Sequence, residues 1–246
     1  MAFLPRGMGY PGELMAEQIS FSESMARDHA RAVFNAEGFV RLPGFLGPEE
    51  LARLAGHGLS ARETLLERSK ERLKGLKPSQ LTTLKGLQDH NEWFEQLAQG
   101  GDHLTLLEDM LGVPLKTSTI AFVDRPPGSV EGIVPHVDGV NGEWDAKGGV
   151  TLWIALDQMD LDNGCLYYVR GSPLIPRKEK LYVGGYDQHS EGAVPVPVNP
   201  GDAVIHHALT VHWSGGNSSG RPRRAISYFY VSRSAYHLYQ EKGKKK

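Results

Sequence analysis

The chain has almost no cysteine, no long apolar run and almost no excess charge, and each lack removes a class of protein. Cys165 is the single cysteine among 246 residues, so no intramolecular disulfide can form. A lone thiol fits a reducing compartment and reads as part of the core. No stretch approaches the roughly 20 apolar residues that cross a bilayer, and Met1 to Gly7 lacks an apolar run long enough for a secretion signal. The expectation is a soluble, cytoplasmic protein with no membrane partner. Lys plus Arg number 27 against 29 Asp plus Glu, a formal net charge of -2, which removes any global electrostatic case for nucleic acid. The one local exception, the Lys242 to Lys246 run, reads as a solvated tail. Internal repeats and low-complexity blocks are also lacking.

What is present suits one large domain over 1–246, with a mainly helical part at 1–112, a β-rich core at 113–232 and a tail at 233–246. Residues 1 to about 20 carry Gly and Pro without periodicity and read as an arm on the surface or over the mouth of a site. Ser22 to Glu37 reads as a helix ended by Gly38, with a short strand at Phe39, Val40 and Leu42 before the Pro43-Gly44 turn. A second helix begins at Pro48, with Glu49 and Glu50 in its first turn and Leu51, Leu54, Ala55 and Leu59 along one face. Trp93, Phe94 and Leu97, then Leu104, Leu107 and Leu111, mark two more at helical spacing.

After Gly112 the period shortens. Lys116–Asp124, Gly149–Leu156, Cys165–Val169, Val194–Val198, Ala203–His206 and Ala225–Ser232 are strand candidates, separated by Gly, Pro, Asn and Asp. Such a series suggests a mainly β fold with flanking helices, a double-stranded β-helix or jelly roll, whose barrel end can hold a metal. The connections at about 139–148 and 172–193 exceed hairpin length and are candidates for substrate loops. In the second, Tyr182, Tyr186 and His189 flank a Gly pair that could act as a hinge.

The chemistry concentrates in two places. Pro135-His136-Val137-Asp138 puts an imidazole and a carboxylate on one face of an extended segment, because side chains alternate with period two. Further on, His212 can close a triangle with them, and Arg223 follows it by eleven residues. Two imidazoles and one carboxylate with an open opposite face suit non-haem Fe(II) and leave positions for a co-substrate and O2. His206 and His207, near His212, read as decoys, His207 with a structural hydrogen-bonding role. Asn163-Gly164 and Gly171-Ser172 read as turn chemistry.

The chain resembles the phytanoyl-CoA dioxygenase family of Fe(II)/2-oxoglutarate oxygenases from about Gly38 to Tyr230. The resemblance rests on Gly38-Phe39-Val40 with Pro43-Gly44-Phe45-Leu46, Arg125-Pro126-Pro127-Gly128-Ser129, His136-Val137-Asp138 and Trp153-Ile154-Ala155-Leu156-Asp157. It continues through Asn163-Gly164-Cys165-Leu166, Gly171-Ser172, Pro200-Gly201-Asp202, and His212-Trp213-Ser214 with Asn217, Ser218 and Arg223. By resemblance, His136, Asp138 and His212 hold Fe(II), 2-oxoglutarate and O2 fill the remaining positions, and ascorbate is expected to stimulate turnover. The far carboxylate of 2-oxoglutarate would pair with Arg223, whose fork matches it bidentately. Strand alternation lets only one of Arg223 and Arg224 face inward. The family spacing selects Arg223 and leaves Arg224 at the surface. Ser214, on the same face as His212, could donate to the same carboxylate. Trp153 reads equally as co-substrate wall or core, and Lys85 as a solvated cation or, by resemblance, a co-substrate contact.

The implied reaction is oxidation of a C–H bond in a small-molecule substrate, hydroxylation by default, with desaturation, ring closure and epoxidation open. With Asp138 present, no ligand site is vacated for chloride, which argues against halogenation. A zinc-dependent hydrolase or isomerase could use the same three ligands but has no need of an arginine at fixed distance from His212. A catalytically silent binding protein would be expected to have lost a ligand, and none is missing. Substrate identity and oligomeric state stay open.

Overall fold

Extended segments that are apolar on both faces need cover on both sides, and this requirement sets the layers. The computed structural model describes residues 24–71, 74–75, 82–138, 148–175 and 182–237. The N-terminal part runs α1 (Ser24–Glu37), β1 (Phe39–Leu42), α2 (Pro48–Arg68), β2 (Thr83–Lys85), α3 (Glu92–Gln99) and α4 (Asp102–Leu111). The strand-rich part follows with β3 (Leu115–Arg125), β4 (Ile133–His136), β5 (Gly149–Ala155) and β6 (Leu166–Val169). It closes with β7 (Ala193–Val196), β8 (Ala203–His207), β9 (His212–Ser214) and β10 (Arg223–Ser232). The expected arm at 1–20, most of the first substrate-loop candidate (139–147) and the Lys242 to Lys246 run lie outside the described residues.

Two antiparallel sheets face each other, one of six strands in the order β1-β8-β5-β10-β3-β2 and one of four in the order β4-β9-β6-β7. This is the expected jelly roll. Alternation assigns three apolar layers. Val150, Leu152 and Ile154 of β5, with Ile205 and Ile226, face the helices and pack against Leu54, Phe94 and Leu107. Trp153 and Ala155 point the other way, into the barrel with Val123, Cys165, Tyr168, Val204 and Ala225. Val137, Val211, Trp213 and Val183 cover the outer face of the small sheet. Burial of each large apolar side chain contributes roughly 1.5–3 kcal/mol, and only this parity lets β5 be buried along its whole length.

Several of the motif blocks are scaffold. Asp202 accepts from Arg41 Nη2 and Gly44 N at 2.8 Å each and from Asn199 N at 2.9 Å, tying the turn after β1 to the start of β8. Asn217 donates to the carbonyls of Arg125 at 2.8 Å and Arg221 at 2.7 Å. Its backbone N–H reaches Ser129 O at 2.7 Å. That buried amide fixes the path of the β9–β10 connection, and so the separation between His212 and Arg223.

The strands read from the sequence recur within a few residues. β4 falls at the segment that the His-x-Asp pair marks as extended, whereas β2 and β9 have three residues each, too few to display alternation, and are held by neighbouring strands. The long connection after β6 divides its tyrosines. Tyr182 bridges His136, with Val183 N–H donating to Pro135 O at 3.0 Å, so Tyr182 lies on the His136 side of the small sheet. Tyr186 instead packs on the outer-face cluster. Of the two readings this loop allows, tyrosines that close over a substrate or tyrosines that pack on the barrel, Tyr186 follows the second. Among the described residues, no helix is long and apolar enough to cross a membrane.

Gly132, just before β4, is where that edge strand comes against β9. A Cβ there would overlap the Ser214 carbonyl, and backbone cannot yield as a side chain tip can. Gly132→Ala should therefore push β4 from β9 and cost about 1–3 kcal/mol, the usual penalty of overpacking. Calorimetry should show a lower Tm, and metal titration a weaker site. Wild-type values for both would mean that β4 closes on β9 without this contact.

Candidate metal centre

β4 ends and β9 begins with a histidine, and these two residues, His136 and His212, are Cα partners across the strands. Their rings lie 4.2 Å apart between centroids. Asp138, two residues past His136, brings its Oδ1 to 3.8 Å from the Nε2 of each. One ligand atom from each of the three lies within 4.8 Å of the others, a spacing that one ion could bridge.

The hydrogen bonds behind the ligands decide which nitrogen faces inward. His136 Nδ1 donates to Val134 O at 2.9 Å and His212 Nδ1 to Thr210 O at 3.0 Å. A carbonyl only accepts, so each Nδ1 carries the hydrogen and each Nε2 is free to coordinate. Asp138 Oδ2 accepts from Thr151 Oγ1 at 2.6 Å and His206 Nε2 at 2.9 Å, which leaves Oδ1 facing the imidazoles. The donor set therefore fits a divalent metal in tautomer, distance and charge.

Burial lowers both ligand histidines to about 4, with the facing imidazole adding to it at His136 and Asp138 opposing it in both. Burial alone would raise Asp138, but His212 and the His206 hydrogen bond outweigh it and hold the carboxyl below its usual range. Neutral imidazoles and an ionised carboxylate are the forms that bind metal. A histidine lowered from 6.5 to about 4 on folding takes up protons in the unfolded chain first, so stability falls as pH drops through that window. The metal-free protein should lose Tm between pH 6.5 and 4 more steeply than a His136→Leu/His212→Leu variant in scanning calorimetry. Equal slopes would show that these rings do not drive the acid sensitivity.

Deeper in the barrel, Arg223 opens β10 with its side chain wholly buried. Its Nε, Nη1 and Nη2 have no hydrogen-bond partner among the described residues. The guanidinium carbon lies 5.3 Å from the centroid of the Trp153 ring. Burial, and secondarily the charge of Arg125, lowers its pKa to about 10, so it stays a cation at neutral pH. An unpaired buried charge is costly, and an anionic partner from outside the chain removes that cost. Burial pushes the Cys165 thiol beside it to about 12, so the cysteine supplies no anion.

The other expected site residues divide. Ser214, buried on the His212 face, accepts from Ile133 N at 3.4 Å and keeps its hydroxyl hydrogen for another acceptor. Arg224 points outward and grips Asp157 with two bonds of 2.8 Å, so the register sends Arg223 inward. Lys85 is exposed on β2, on the face opposite buried Leu84. After burial, His212, Asp138 and the Val134 bond, its charge is the last-named influence on His136, and it stands outside the ligand set. His207 accepts from Leu209 N at 3.1 Å.

Three residues at the site were missed: Thr151, Tyr168 and His206. His206 is no decoy, since it bonds Asp138. Period-two counting offers a signal for the first two, because Thr151 shares a face with Trp153, and Tyr168 with Leu166 of the barrel interior.

Two imidazoles and a carboxylate on one side of a cavity form the donor set of non-haem Fe(II) sites that keep positions free for co-substrate and O2. A jelly roll that adds a buried, unpaired arginine behind that set falls in the class of 2-oxoglutarate-dependent oxygenases. Direct comparison narrows the class. The chain belongs to the phytanoyl-CoA dioxygenase (PhyH) family, whose model matches residues 34–225. It is 30% identical over 119 residues to phytanoyl-CoA dioxygenase 1 of Oryza sativa subsp. japonica, covering 45% of this chain and 42% of that one. The match thus spans less than half of the rice relative. Dioxygenase lolE1 of Epichloe uncinata is 25% identical over 202 residues, 78% of each chain. Among solved structures, the epimerase SnoN in complex with Fe3+, alpha ketoglutarate and nogalamycin RO superposes with a TM-score of 0.68. It is 24% identical and covers 85% of both chains.

Proposed function

We propose that this protein is a non-haem Fe(II)/2-oxoglutarate dioxygenase that oxidises, by default hydroxylates, a C–H bond of a small organic metabolite with release of succinate and CO2. The observation that carries the reading is Arg223, a buried cation with no hydrogen-bond partner among the described residues, behind a three-ligand cluster. A zinc hydrolase built on the same ligands has no use for such a cation. Bound iron would supply activation of O2, with two electrons drawn from the co-substrate and two from the substrate.

The chain's own residues have separate tasks in this reading. His136, Asp138 and His212 hold the ion through two Nε2 atoms and Oδ1. Arg223 and Ser214 take the far carboxylate of 2-oxoglutarate, and its two N–H bonds fix the co-substrate's direction as well as its charge. Trp153 walls that compartment and helps exclude water. Lys85 and Tyr182 stand at the mouth, where a substrate enters. Neighbours such as SnoN, crystallised with nogalamycin RO, support a secondary metabolite as the substrate class.

Succinate release from 2-oxoglutarate is the direct assay, run with Fe(II), ascorbate and a metabolite library scored by mass spectrometry for gain of one oxygen or loss of two hydrogens. Wild type should form succinate, and His136→Ala, Asp138→Ala and His212→Ala should each reduce it to background while staying folded. Wild-type turnover in His212→Ala, with Fe(II) limiting, would contradict the ligand assignment.

A further inference from the structure

The two oxygens of Asp138 have unlike surroundings. Oδ1 looks towards His136 and His212, whereas Oδ2 is taken by Thr151 Oγ1 at 2.6 Å and His206 Nε2 at 2.9 Å. Thr151 and His206 are Cα partners on β5 and β8, interior strands of the large sheet, and both are buried. Asp138 reaches them from the other sheet. Behind His206, the hydroxyl of the fully buried Tyr168 lies 3.0 Å from Nδ1 and holds the ring with Nε2 towards the carboxylate. The rings of His206 and Tyr168 pack against His212 at 4.5 Å and 5.7 Å between centroids, which restricts their rotation.

We infer that His206 and Thr151 are positioning residues that occupy Asp138 Oδ2 and restrict the carboxylate to one-oxygen coordination of the metal, with Tyr168 orienting His206. This rests on the metal-site reading above and adds a function for three residues outside its ligand set. A carboxylate free to turn could bind through both oxygens and consume one of the positions that co-substrate and O2 require. Two donors on Oδ2 oppose that turn. A donor chain of this kind also keeps negative charge on the ligand and holds its direction, and loss of such an outer partner typically costs about 10–100-fold in metal affinity.

The test is anaerobic titration of the full-length protein with Fe(II), and with Co(II), whose visible spectrum reports coordination number and geometry. His206→Leu removes the donor and should weaken Fe(II) binding by about 10–100-fold and alter the Co(II) spectrum. His206→Gln retains an N–H donor and should recover most of the affinity and the wild-type spectrum, a rescue that a purely space-filling role would not give. Thr151→Val removes the second donor at nearly constant volume and should shift the spectrum in the same direction, which keeps the inference testable if His206→Leu fails to fold. Wild-type affinity and spectrum in folded His206→Leu, or in Thr151→Val where the former is unfolded, would overturn it. Wild-type protein that binds no Fe(II), or His212→Ala that binds it normally, would instead overturn the underlying metal-site reading.

Discussion

An arginine side chain sealed inside a barrel, with no hydrogen-bond partner among the described residues, is the constraint on which the rest of the arrangement depends. Arg223 is buried completely and all three of its nitrogens lack partners among the described residues. In an apolar interior such a cation costs several kcal/mol unless an anion meets it. Folding energy elsewhere has to offset that cost, and the three apolar layers supply it. A binding site poised in this way gains affinity because the anion arrives at a pre-formed partner, with little side-chain entropy left to lose. The same logic explains the outward turn of Arg224, whose bonds to Asp157 keep the neighbouring cation out of the interior.

The fold separates support from chemistry by parity. Val150, Leu152 and Ile154 of β5, Ala203 and Ile205 of β8, and Ile226 and Tyr228 of β10 face the helices and build the main core. Their inward-facing neighbours include Thr151, Trp153, His206 and Arg223. The small sheet contributes His136, His212 and Ser214 inward and Trp213 outward, where Tyr167 stacks on it at 5.3 Å. His136, His212, Thr151, His206 and Arg223 thus stand on strands, which limits their motion better than loops would, and Asp138 follows two residues after β4. The Asp202 and Asn217 networks hold the connections at fixed length, so the distance between metal ligands and Arg223 is a property of the backbone.

Much of this was legible in the sequence because short-range rules govern it. His136 and Asp138 share a face by period two, and the inward choice of Arg223 over Arg224 follows from alternation once the family spacing selects one. Helix starts such as Pro48 with Glu50, whose carboxylate accepts from Gly47 N at 3.1 Å, are local as well. What was not legible depends on distant partners. His206 meets Asp138 across a sequence separation of 68 residues, and no periodicity links them, so beside His207 it read as surplus. Tyr182 and Tyr186 occupy one Gly-containing stretch, yet one lies on the ligand face of the small sheet and the other on its outer face. The bridge to His136 holds Tyr182 on the first face, and packing on the outer-face cluster holds Tyr186 on the second.

Because the account centres on the complementarity between Arg223 and a remote carboxylate, its most direct test is a chemical double-mutant cycle measured by anaerobic calorimetry on the Fe(II)-loaded protein. 2-Oxoglutarate and 2-oxopentanoate, which share the chelating end but differ in the far carboxylate, are titrated into wild type and Arg223→Leu. Wild type should prefer 2-oxoglutarate by a margin equivalent to about 2–5 kcal/mol, the usual loss when one partner of a buried charge pair is removed, and Arg223→Leu should bind the two alike. An undiminished preference in Arg223→Leu would contradict the account, since another residue would then be holding the far carboxylate.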